Sequence, residues 1–345
     1  MGALEILHLS DDRPGHYHLA EGVIAALARL TETRVTTLSV RRRWLIPGRL
    51  LRLAVDGGKV APELVLKLGY GLARAELGNA DLIISAGGQT LPANIAAARA
   101  LGAANIFVGS LRRVDPENFS LVVTSYERHS ELPRHLVTLK PSAVDPDSLG
   151  RPASVPVFGT ANRPQIAGLL IGGDSGLFKY REEEWQRLLD FASAVSRAWG
   201  TRWLISTSRR TPRQAAEAAF NLAKDKNVVA DFIDYKLAGP GSLTKIFSRA
   251  DTIVCTEDSS TMISEAAWVR LPVVGVSPAH HAFKPEEREY RQLLTRNNWC
   301  RFLPIAGLDV ERFGEALAEI RPMQENPLDH LATRLKVQLP TLFPV

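Results

Sequence analysis

The sequence is poor in cysteine and contains no long apolar segment. Two cysteines, Cys255 and Cys300, occur in 345 residues, and they form neither a close pair nor a cluster with histidine. A disulfide framework and a zinc site are therefore unsupported, and a reducing environment is expected. No stretch is long enough and free enough of charge to span a bilayer, and a strand-like segment at residues 4–9 opens the chain without a signal-peptide core. We expect a cytoplasmic protein, either soluble or peripheral on the inner face of the cytoplasmic membrane.

Two common nucleotide-binding motifs are also absent. The loop at residues 171–176, Ile-Gly-Gly-Asp-Ser-Gly, lacks the Gly-Lys-Ser/Thr end of a Walker A motif and does not match G-x-G-x-x-G. The sequence therefore gives no motif that would favour ATP hydrolysis or NAD binding as the function. Trypsin-like proteases share its Gly-Asp-Ser-Gly, but they are all-β and usually disulfide-bonded, whereas this loop follows a strand in an α/β series.

Length and hydropathy pattern predict two α/β domains. With 45% hydrophobic and 23% charged residues the chain can bury a full core, yet 345 residues exceed the usual size of one core. Short β-branched runs alternate with amphipathic stretches, which predicts parallel sheets flanked by helices. We place the first domain at 1–150, a proline-rich linker at 151–164, the second domain at 165–325 and a C-terminal helix or tail at 326–345. Such a pair is expected to form a ligand-binding cleft at the carboxyl ends of both sheets.

The same alternation gives the individual elements. In the first domain, strands are predicted at residues 5–10, 34–40, 81–87, 105–110 and 120–126. In the second, strands are predicted at 166–171, 202–207, 228–233 and 252–256, and helices at 182–199, 212–223 and 243–248.

A basic patch concentrates the positive charge of a chain with net charge +5 and a pI of about 9.3. Arg41, Arg42 and Arg43 precede Trp44, and further arginines and leucines follow to residue 53. Arginines interleaved with apolar residues suit an anionic membrane surface. An ordinary amphipathic helix with solvated arginines is the alternative. Nucleic acid is not expected as a partner, because no stacking motif or recognised binding fold accompanies the patch.

The segment after residues 252–256 has the features of an anion site. Ser259, Ser260 and Thr261 begin an amphipathic helix, so backbone N–H groups and hydroxyls face outward from a helix N-terminus. Glu265 lies about one turn further on, where a carboxylate can accept hydrogen bonds from a vicinal diol. Phosphate and ribose are the implied ligand, and a capped helix with a solvated acid is also compatible with the segment.

Other strand ends of the second domain carry further groups that could bind the same phosphate- and ribose-containing ligand. The glycines of the loop let backbone amides approach a phosphate, and the loop comprises Gly172, Gly173, Asp174 and Ser175. Arg209 or Arg210 could bind a diphosphate through bidentate hydrogen bonds, or both could be solvated. Ile233 is a candidate main-chain contact to a nucleobase.

No metal is predicted. Asp145-Pro146-Asp147 matches the D-x-D pattern of metal-dependent sugar transfer, but the motif lies in proline-rich sequence. A metal-binding D-x-D should instead end a buried strand and direct both carboxylates at one cation.

The first loop of the chain combines candidate catalytic groups. His16 could act as a general base on a hydroxyl, because its unperturbed pKa lies near neutrality, and Asp11 or Asp12 could orient or replace it. Alternatively, one aspartate caps the following helix and His16 is a surface residue. The molecule that carries this hydroxyl is called the acceptor, and the residues predicted to lie on its side of the site are Arg13, Gly15, Gly88 and Gln89.

These motifs together resemble the bacterial relatives of the plant "elongated mitochondria" fission protein, a family regarded as GT-B glycosyltransferases. The resemblance covers most of the chain and rests on residues 12–16, 172–175, 206–212 and 257–266. More distantly, the layout is similar to the N-acetylglucosaminyltransferase that makes lipid II, and on that likeness His16 corresponds to the base and Glu265 to the ribose ligand. The chain departs from that pattern in its first loop and in Glu257 and Asp258, whose carboxylates would repel a diphosphate.

The resemblance implies two Rossmann-like, doubly wound domains facing a cleft and a metal-independent, inverting glycosyltransferase. A sugar moves from a nucleotide diphosphate sugar to a hydroxyl acceptor, which His16 or Asp12 deprotonates; no cofactor is needed. If the basic patch meets a membrane, the acceptor is a lipid-linked or envelope glycan. The alternatives are a nucleotide-sugar epimerase on the same fold and a non-catalytic adaptor that recruits a partner to a membrane.

Overall fold

The structure is a computed structural model that describes residues 2–58, 60–150, 157–159, 162–239 and 241–343. The chain divides into two compact units: unit 1 comprises residues 1–143 and 327–345, and unit 2 comprises residues 144–326. Residues 151–156, 160 and 161 of the predicted linker lie outside the described residues, and the predicted domain limits stay predictions. Within the described ranges, no helix is long and apolar enough to cross a membrane.

Unit 1 alternates strands and helices and is completed by the last helix of the chain. Its elements are β1 (Leu4–Ser10), α1 (Pro14–Leu27), β2 (Thr33–Ser39), α2 (Gly48–Asp56), α3 (Pro62–Tyr70), β3 (Leu82–Ala86), α4 (Leu91–Leu101), β4 (Ala104–Val108), β5 (Leu121–Thr124), β6 (His135–Val137) and α12 (Pro327–Gln338).

The sheet of unit 1 is parallel throughout, with the strand order β2-β1-β3-β4-β5-β6. Apolar side chains of β1, β3 and β4 are buried, because helices cover both faces of such a sheet. The helix α12 is held in this unit by an ion pair between Arg29 and Asp329 (3.2 Å) and by a hydrogen bond from Arg334 to the Val137 carbonyl (2.7 Å).

Unit 2 repeats the alternation. Its elements are β7 (Ile166–Leu170), β8 (Phe178–Lys179), α5 (Glu182–Trp199), β9 (Arg202–Ser206), α6 (Arg213–Leu222), β10 (Val229–Ile233), α7 (Tyr235–Ala238), α8 (Leu243–Phe247), β11 (Thr252–Thr256), α9 (Ser260–Trp268), β12 (Val273–Ser277), β13 (His280–His281), α10 (Pro285–Arg296), β14 (Cys300–Pro304) and α11 (Val310–Glu319).

The main sheet of unit 2 has the Rossmann strand order. Its order is β10-β9-β7-β11-β12-β14, all parallel, while β8 and β13 form a separate antiparallel pair. The core between this sheet and its helices contains Trp203 and Phe313, and Cys255 on β11 and Cys300 on β14 are fully buried. The predicted α/β class with two Rossmann-like parallel sheets is therefore confirmed.

An aspartate fixes the start of the first strand in each unit. In unit 1, the Asp81 carboxylate accepts a hydrogen bond from the Glu5 N–H (2.9 Å). In unit 2, the Asp251 carboxylate accepts from the N–H groups of Gln165 and Ile166, both at 2.9 Å. Both aspartates directly precede the strand that neighbours the first strand, so the two units share this local device.

Candidate functional site

Each sheet changes winding direction at one pair of strands, and this is where open α/β sheets bind ligands. In unit 1 the change falls between β1 and β3, and in unit 2 between β7 and β11. The loops that leave these strands carry Gly88, Gly173 and Ser259, and His16 lies in the first turn of α1, directly after the loop that leaves β1; all four are predicted site residues. The topology thus places the predicted motifs of each unit at its switch point.

Asp258 is the centre of the unit 2 site. Its side chain is fully buried after β11 and accepts hydrogen bonds from the Gly173 N–H (3.1 Å), the Tyr180 hydroxyl (3.0 Å) and the Arg210 guanidinium (2.6 Å). Burial and the neighbouring Asp258 carboxylate raise the pKa of Tyr180, which therefore stays protonated as a donor. The sequence predicted only that Asp258 would repel a ligand. In the structure, its carboxylate joins the three segments that carry Gly173, Tyr180 and Arg210 through hydrogen bonds.

The glycine loop has a different role from the predicted one. The Gly172 N–H donates to the Thr256 hydroxyl (2.7 Å), the Gly173 N–H donates to Asp258, and the Ser175 N–H donates to the Phe178 carbonyl (3.2 Å). These amides are already paired, which corrects the expectation that they contact a phosphate. A Cβ at Gly172 would collide with the Asp258 carboxylate, and one at Gly173 with the Arg210 carbonyl, so close packing requires both glycines.

Asp174 is an internal hydrogen-bond acceptor in the structure. Its carboxylate accepts from the Tyr180 N–H (3.0 Å) and pairs with Lys179 (3.1 Å), and these contacts lower its pKa. It therefore fixes the turn between β7 and β8.

The two arginines predicted to bind a diphosphate differ sharply. Arg210 is bonded to Asp258, whereas Arg209 is exposed and makes no side-chain hydrogen bond or ion pair within the described parts of the chain. Arg209 is thus the free cation of the pair.

Glu257 is neutralised by a residue that the sequence analysis missed. Arg291 on α10 donates to the Glu257 carboxylate (2.7 Å) and backbone carbonyl (2.6 Å), and its guanidinium carbon lies 4.1 Å from the centre of the Phe283 ring. Burial raises the pKa of Glu257 even though Arg291 opposes the shift. The expected repulsion of a diphosphate by this carboxylate is therefore corrected. Arg291 is one of several arginines on an amphipathic helix, and no motif marks it.

A cavity of about 390 Å³ brings several predicted residues together at the start of α9. Ser259 occupies the N-cap position, and its side chain makes no capping hydrogen bond. Lys284 is exposed beside the cavity and has no ion-pair partner among the described residues. The cavity is lined by the predicted residues Ser175, Arg210, Ser259, Ser260 and Thr261, and also by Asp258, Lys284 and Arg291.

Six of the predicted donor-binding residues are not among those that line this cavity: Gly172, Gly173, Asp174, Arg209, Ile233 and Glu265. Glu265 lies further along α9 and is partly exposed. Ile233 lines a separate cavity of about 810 Å³ at the end of β10, and its carbonyl accepts a hydrogen bond from the Thr207 N–H (3.1 Å). That carbonyl already accepts one hydrogen bond from the protein and has a second lone pair, so the main-chain contact of Ile233 to a nucleobase stays a prediction.

In unit 1, the structure assigns His16 its carboxylate partner. Asp11, with only 2% of its side chain exposed, lies 2.9 Å from His16 Nδ1, whereas Asp12 binds Ser39 (2.7 Å) and Arg41 (3.1 Å). Those contacts lower the pKa of Asp12, which makes it a weaker base than a free aspartate. Of the two aspartates, Asp11 is thus the one that can orient His16, and the geometry disfavours Asp12 as the base.

Of the two glycines that follow β3, Gly87 packs against His16 and Gly88 packs against Arg112. A Cβ at Gly87, whose φ is +88°, would collide with His16 Nδ1, and a Cβ at Gly88 would lie 2.6 Å from the guanidinium carbon of Arg112. Gly87 was predicted only as the end of a strand, although the Gly-Gly pair was visible in the sequence.

The remaining predicted acceptor-side residues have ordinary surroundings. Gln89 accepts a hydrogen bond from Tyr70 through its carbonyl (2.7 Å), Arg13 is exposed at the N-cap of α1, and Gly15 has no atom near its Cβ direction.

The basic patch is exposed but partly engaged. Trp44 is 86% exposed and Leu45 69%. Arg41 pairs with Asp12, Arg42 donates to the Ile46 carbonyl, and Arg43 packs over Gly71. The apolar side chains are therefore the freest part of the patch.

The described residues contain no group of three or more His, Cys, Asp or Glu side chains that could hold a metal. The two carboxylates of the D-x-D sequence bind other side chains. Asp147 pairs with Arg270 (2.7 Å), and both Asp145 and Asp147 accept from the Asn326 amide (2.8 Å each).

Comparisons with known proteins relate the chain to a family and a fold. A family model described as Mitochondrial fission ELM1 matches residues 14–333. MurG from Acinetobacter baumannii superposes with a TM-score of 0.52 at 15% identity, covering 97% of this chain and 99% of that one. A protein described as a UDP-N-acetylglucosamine 2-epimerase, from Listeria monocytogenes, gives 0.53 at 11% identity (100% and 97%). The glycotransferase of kitacinnamycin gives 0.50 at 13% identity (98% and 96%). No curated protein matches the sequence significantly.

Proposed function

The chain belongs to the mitochondrial fission ELM1 family and has the GT-B fold, and from this premise we propose that it is a metal-independent glycosyltransferase. It moves a sugar from a nucleotide diphosphate sugar to a hydroxyl acceptor with inversion. The observation that carries the proposal is the cavity at the start of α9, where an uncapped helix N-terminus and cationic side chains lie at the switch point of a Rossmann sheet.

The diphosphate is bound without a metal in this proposal. Backbone N–H groups at the start of α9 donate to phosphate oxygens, and the hydroxyls of Ser260 and Thr261 add further donors. Lys284, which lines the cavity, supplies positive charge, and we assign the same role to Arg209, which adjoins the lining residue Arg210 in the chain; neither Lys284 nor Arg209 is engaged with a carboxylate in the described structure. These groups stabilise the charge that develops on the departing nucleoside diphosphate. Glu265 binds the ribose hydroxyls.

His16 serves as the general base of unit 1. Asp11 at Nδ1 holds the imidazole so that Nε2 accepts the proton of the acceptor hydroxyl, as in other histidine–carboxylate pairs. The hydroxyl oxygen then attacks the anomeric carbon, the bond to the diphosphate oxygen breaks, and the configuration inverts. Asp11 acts through His16 and is a positioning residue.

Contact with a membrane is a second part of the proposal. Exposed Trp44 and Leu45 would enter the headgroup boundary of an anionic membrane beside the arginines, and the acceptor would then be lipid-linked or part of an envelope glycan.

A thermal-shift screen in EDTA against UDP-, GDP-, CMP- and dTDP-sugars tests the donor site. One nucleotide class should stabilise the protein, by about 2.7 kcal/mol at a hundred times its Kd, since the ligand binds only the folded state. Glu265→Ala and Arg209→Ala should each weaken the shift, whereas Arg213→Ala, which removes an exposed pair with Glu217, should not. No shift with any nucleotide would contradict the proposal, and release of a free epimerised sugar without acceptor would favour the epimerase instead.

A further inference from the structure

Two neighbouring arginines of unit 1, Arg112 and Arg113, both have a positive φ, as the more distant Arg134 of the same unit also does. Arg112 and Arg113 are the central residues of a turn closed by a hydrogen bond from the Val114 N–H to the Leu111 carbonyl (3.0 Å), and their φ angles are +50° and +74°. Glycine, asparagine and aspartate normally take such positions, because a longer side chain costs about 1–2 kcal/mol in the left-handed region. The flanking Leu111 and Val114 are buried and anchor the turn.

Arg112 is directed at the same place as His16. Its guanidinium lies over Gly88, while the imidazole of His16 lies over Gly87, and two adjacent Cα atoms are only about 3.8 Å apart. The glycines leave room for both side chains. His16 on α1, the two glycines after β3 and Arg112 in the loop after β4 thus meet beside the switch point of the sheet.

Arg112 is also a cation without a protein partner. It is exposed and makes no side-chain hydrogen bond or ion pair in the part of the chain that the structure describes, and the same holds for Arg113. A guanidinium presents a planar set of donors that matches a phosphate or carboxylate.

We propose that Arg112 binds an anionic group of the acceptor, a phosphate or a carboxylate, while the acceptor hydroxyl lies at His16. The inference rests on the proposed function and deepens it, because it makes the acceptor an anionic molecule. Arg112 binds the acceptor and takes no part in the proton transfer.

Carbethoxylation of His16 by diethyl pyrocarbonate, followed by peptide mass spectrometry, tests the site in the 345-residue protein. Inorganic pyrophosphate is the probe, and at about four times its Kd it should slow the modification of His16 roughly fivefold. His18 on the same helix, which pairs with Glu21, should react at an unchanged rate.

The matched variants are Arg112→Gly and Arg113→Gly. Glycine favours the positive φ at both positions, so both variants should keep the turn and fold normally. Arg112→Gly should abolish the protection of His16, whereas Arg113→Gly should retain it. Protection that persists in Arg112→Gly, or that never occurs in the wild type, overturns the proposal.

Two further arms separate the sources of the anion and the two proposals. Protection by vesicles of phosphatidylglycerol, but not phosphatidylcholine, together with protection by pyrophosphate, would assign a lipid-borne phosphate; protection by pyrophosphate alone would assign a soluble anion. If nucleotide sugars cause no thermal shift but pyrophosphate still protects His16, the result would contradict the proposed donor site and leave the proposed role of Arg112 intact.

Discussion

At the scale of single residues, the neighbouring carboxylates Asp11 and Asp12 have opposite surroundings, and this predicts opposite phenotypes. Asp11 is buried against His16, whereas the side chain of Asp12 is 44% exposed and bound to Arg41. Asp11→Asn should lower the rate of sugar transfer by about a hundredfold or more, because the imidazole loses its orienting anion. Asp12→Asn should lower it less than about tenfold.

Initial rates of nucleotide release with saturating donor give the comparison, and circular dichroism checks folding. A larger loss in Asp12→Asn than in Asp11→Asn would show that the histidine pair is not the base.

Gly87 gives a second prediction at this scale. In Gly87→Ala the new methyl group collides with His16 and the positive φ becomes strained, so we expect a loss of about 1–3 kcal/mol of stability and most of the transfer activity. Gly15→Ala is the control: nothing lies within 4 Å of the added Cβ, and alanine in a helix should be neutral or stabilising by up to about 1 kcal/mol. Urea denaturation measures both. Equal effects of the two substitutions would contradict the role given to Gly87.

Some side-chain partners could not be predicted from the sequence. His16 was predicted from its type and its place after a strand, but the choice between Asp11 and Asp12 stayed open. Asp12 adopts a φ of +58°, and the two carboxylates then meet different partners from β2 and α1. Such tertiary contacts leave no local mark in the sequence, and the same is true of the bond between Arg210 and Asp258.

At the scale of elements, the strand-fixing aspartates predict where stability resides. Asp251→Ala leaves the Gln165 and Ile166 N–H groups without their acceptor, and we expect a cost of about 1–2 kcal/mol. Asp231→Ala removes an exposed pair with Arg249 at 3.0 Å and should cost at most about 0.5 kcal/mol. Chemical unfolding followed by tryptophan fluorescence compares them, and a reversed order would show that β7 starts without help from Asp251.

The buried pair between β11 and α10 predicts a pH dependence. Burial raises the pKa of Glu257 above its ordinary value of 4.5, so between that value and the raised pKa the folded protein binds a proton that the unfolded chain has lost. The contribution of this side chain to stability is thus present in acid and declines as pH rises from 4.5 through the raised pKa. The free energy of unfolding of the wild type, minus that of Glu257→Gln, should fall over that range. A difference that rises with pH would mean that Arg291 dominates over desolvation.

Elements were predicted well where their hydropathy pattern is local. The strand predicted at residues 5–10 corresponds to β1 and the helix predicted at 182–199 to α5 with the same limits. The helix predicted at 212–223 begins one residue later, because Pro212 takes the N-cap position. The antiparallel pair of β8 and β13 joins His280 to Lys179 and His281 to Phe178, and no local pattern could reveal a pairing over so long a stretch of chain.

At the scale of the whole molecule, the exposed apolar residues of the basic patch predict membrane binding. Trp44→Ala combined with Leu45→Ala should reduce partitioning onto phosphatidylglycerol vesicles about tenfold or more, because both side chains are largely exposed. Arg41, Arg42 and Arg43 replaced by glutamate should also reduce it, with a strong dependence on salt. Unchanged sedimentation of the variants with vesicles would remove this part of the proposal.

The whole-molecule predictions followed from regular alternation and from motif combinations. The family resemblance is confirmed by the match over residues 14–333. The unit to which the last helix belongs was not predictable, since its amphipathic pattern would suit either core, and the structure pairs Arg29 with Asp329 in unit 1.

The placement of the two cysteines makes thiol labelling a specific measure of how often unit 2 opens. Both lie in unit 2, fully buried in the interior of its sheet, and burial raises the pKa of each thiol, so neither reacts with a disulfide reagent while the strands stay paired. Unit 1 contributes no thiol. The rate at which such a reagent labels the native protein therefore reports the opening of unit 2 and is insensitive to motions of unit 1. A bound nucleotide should lower this labelling rate.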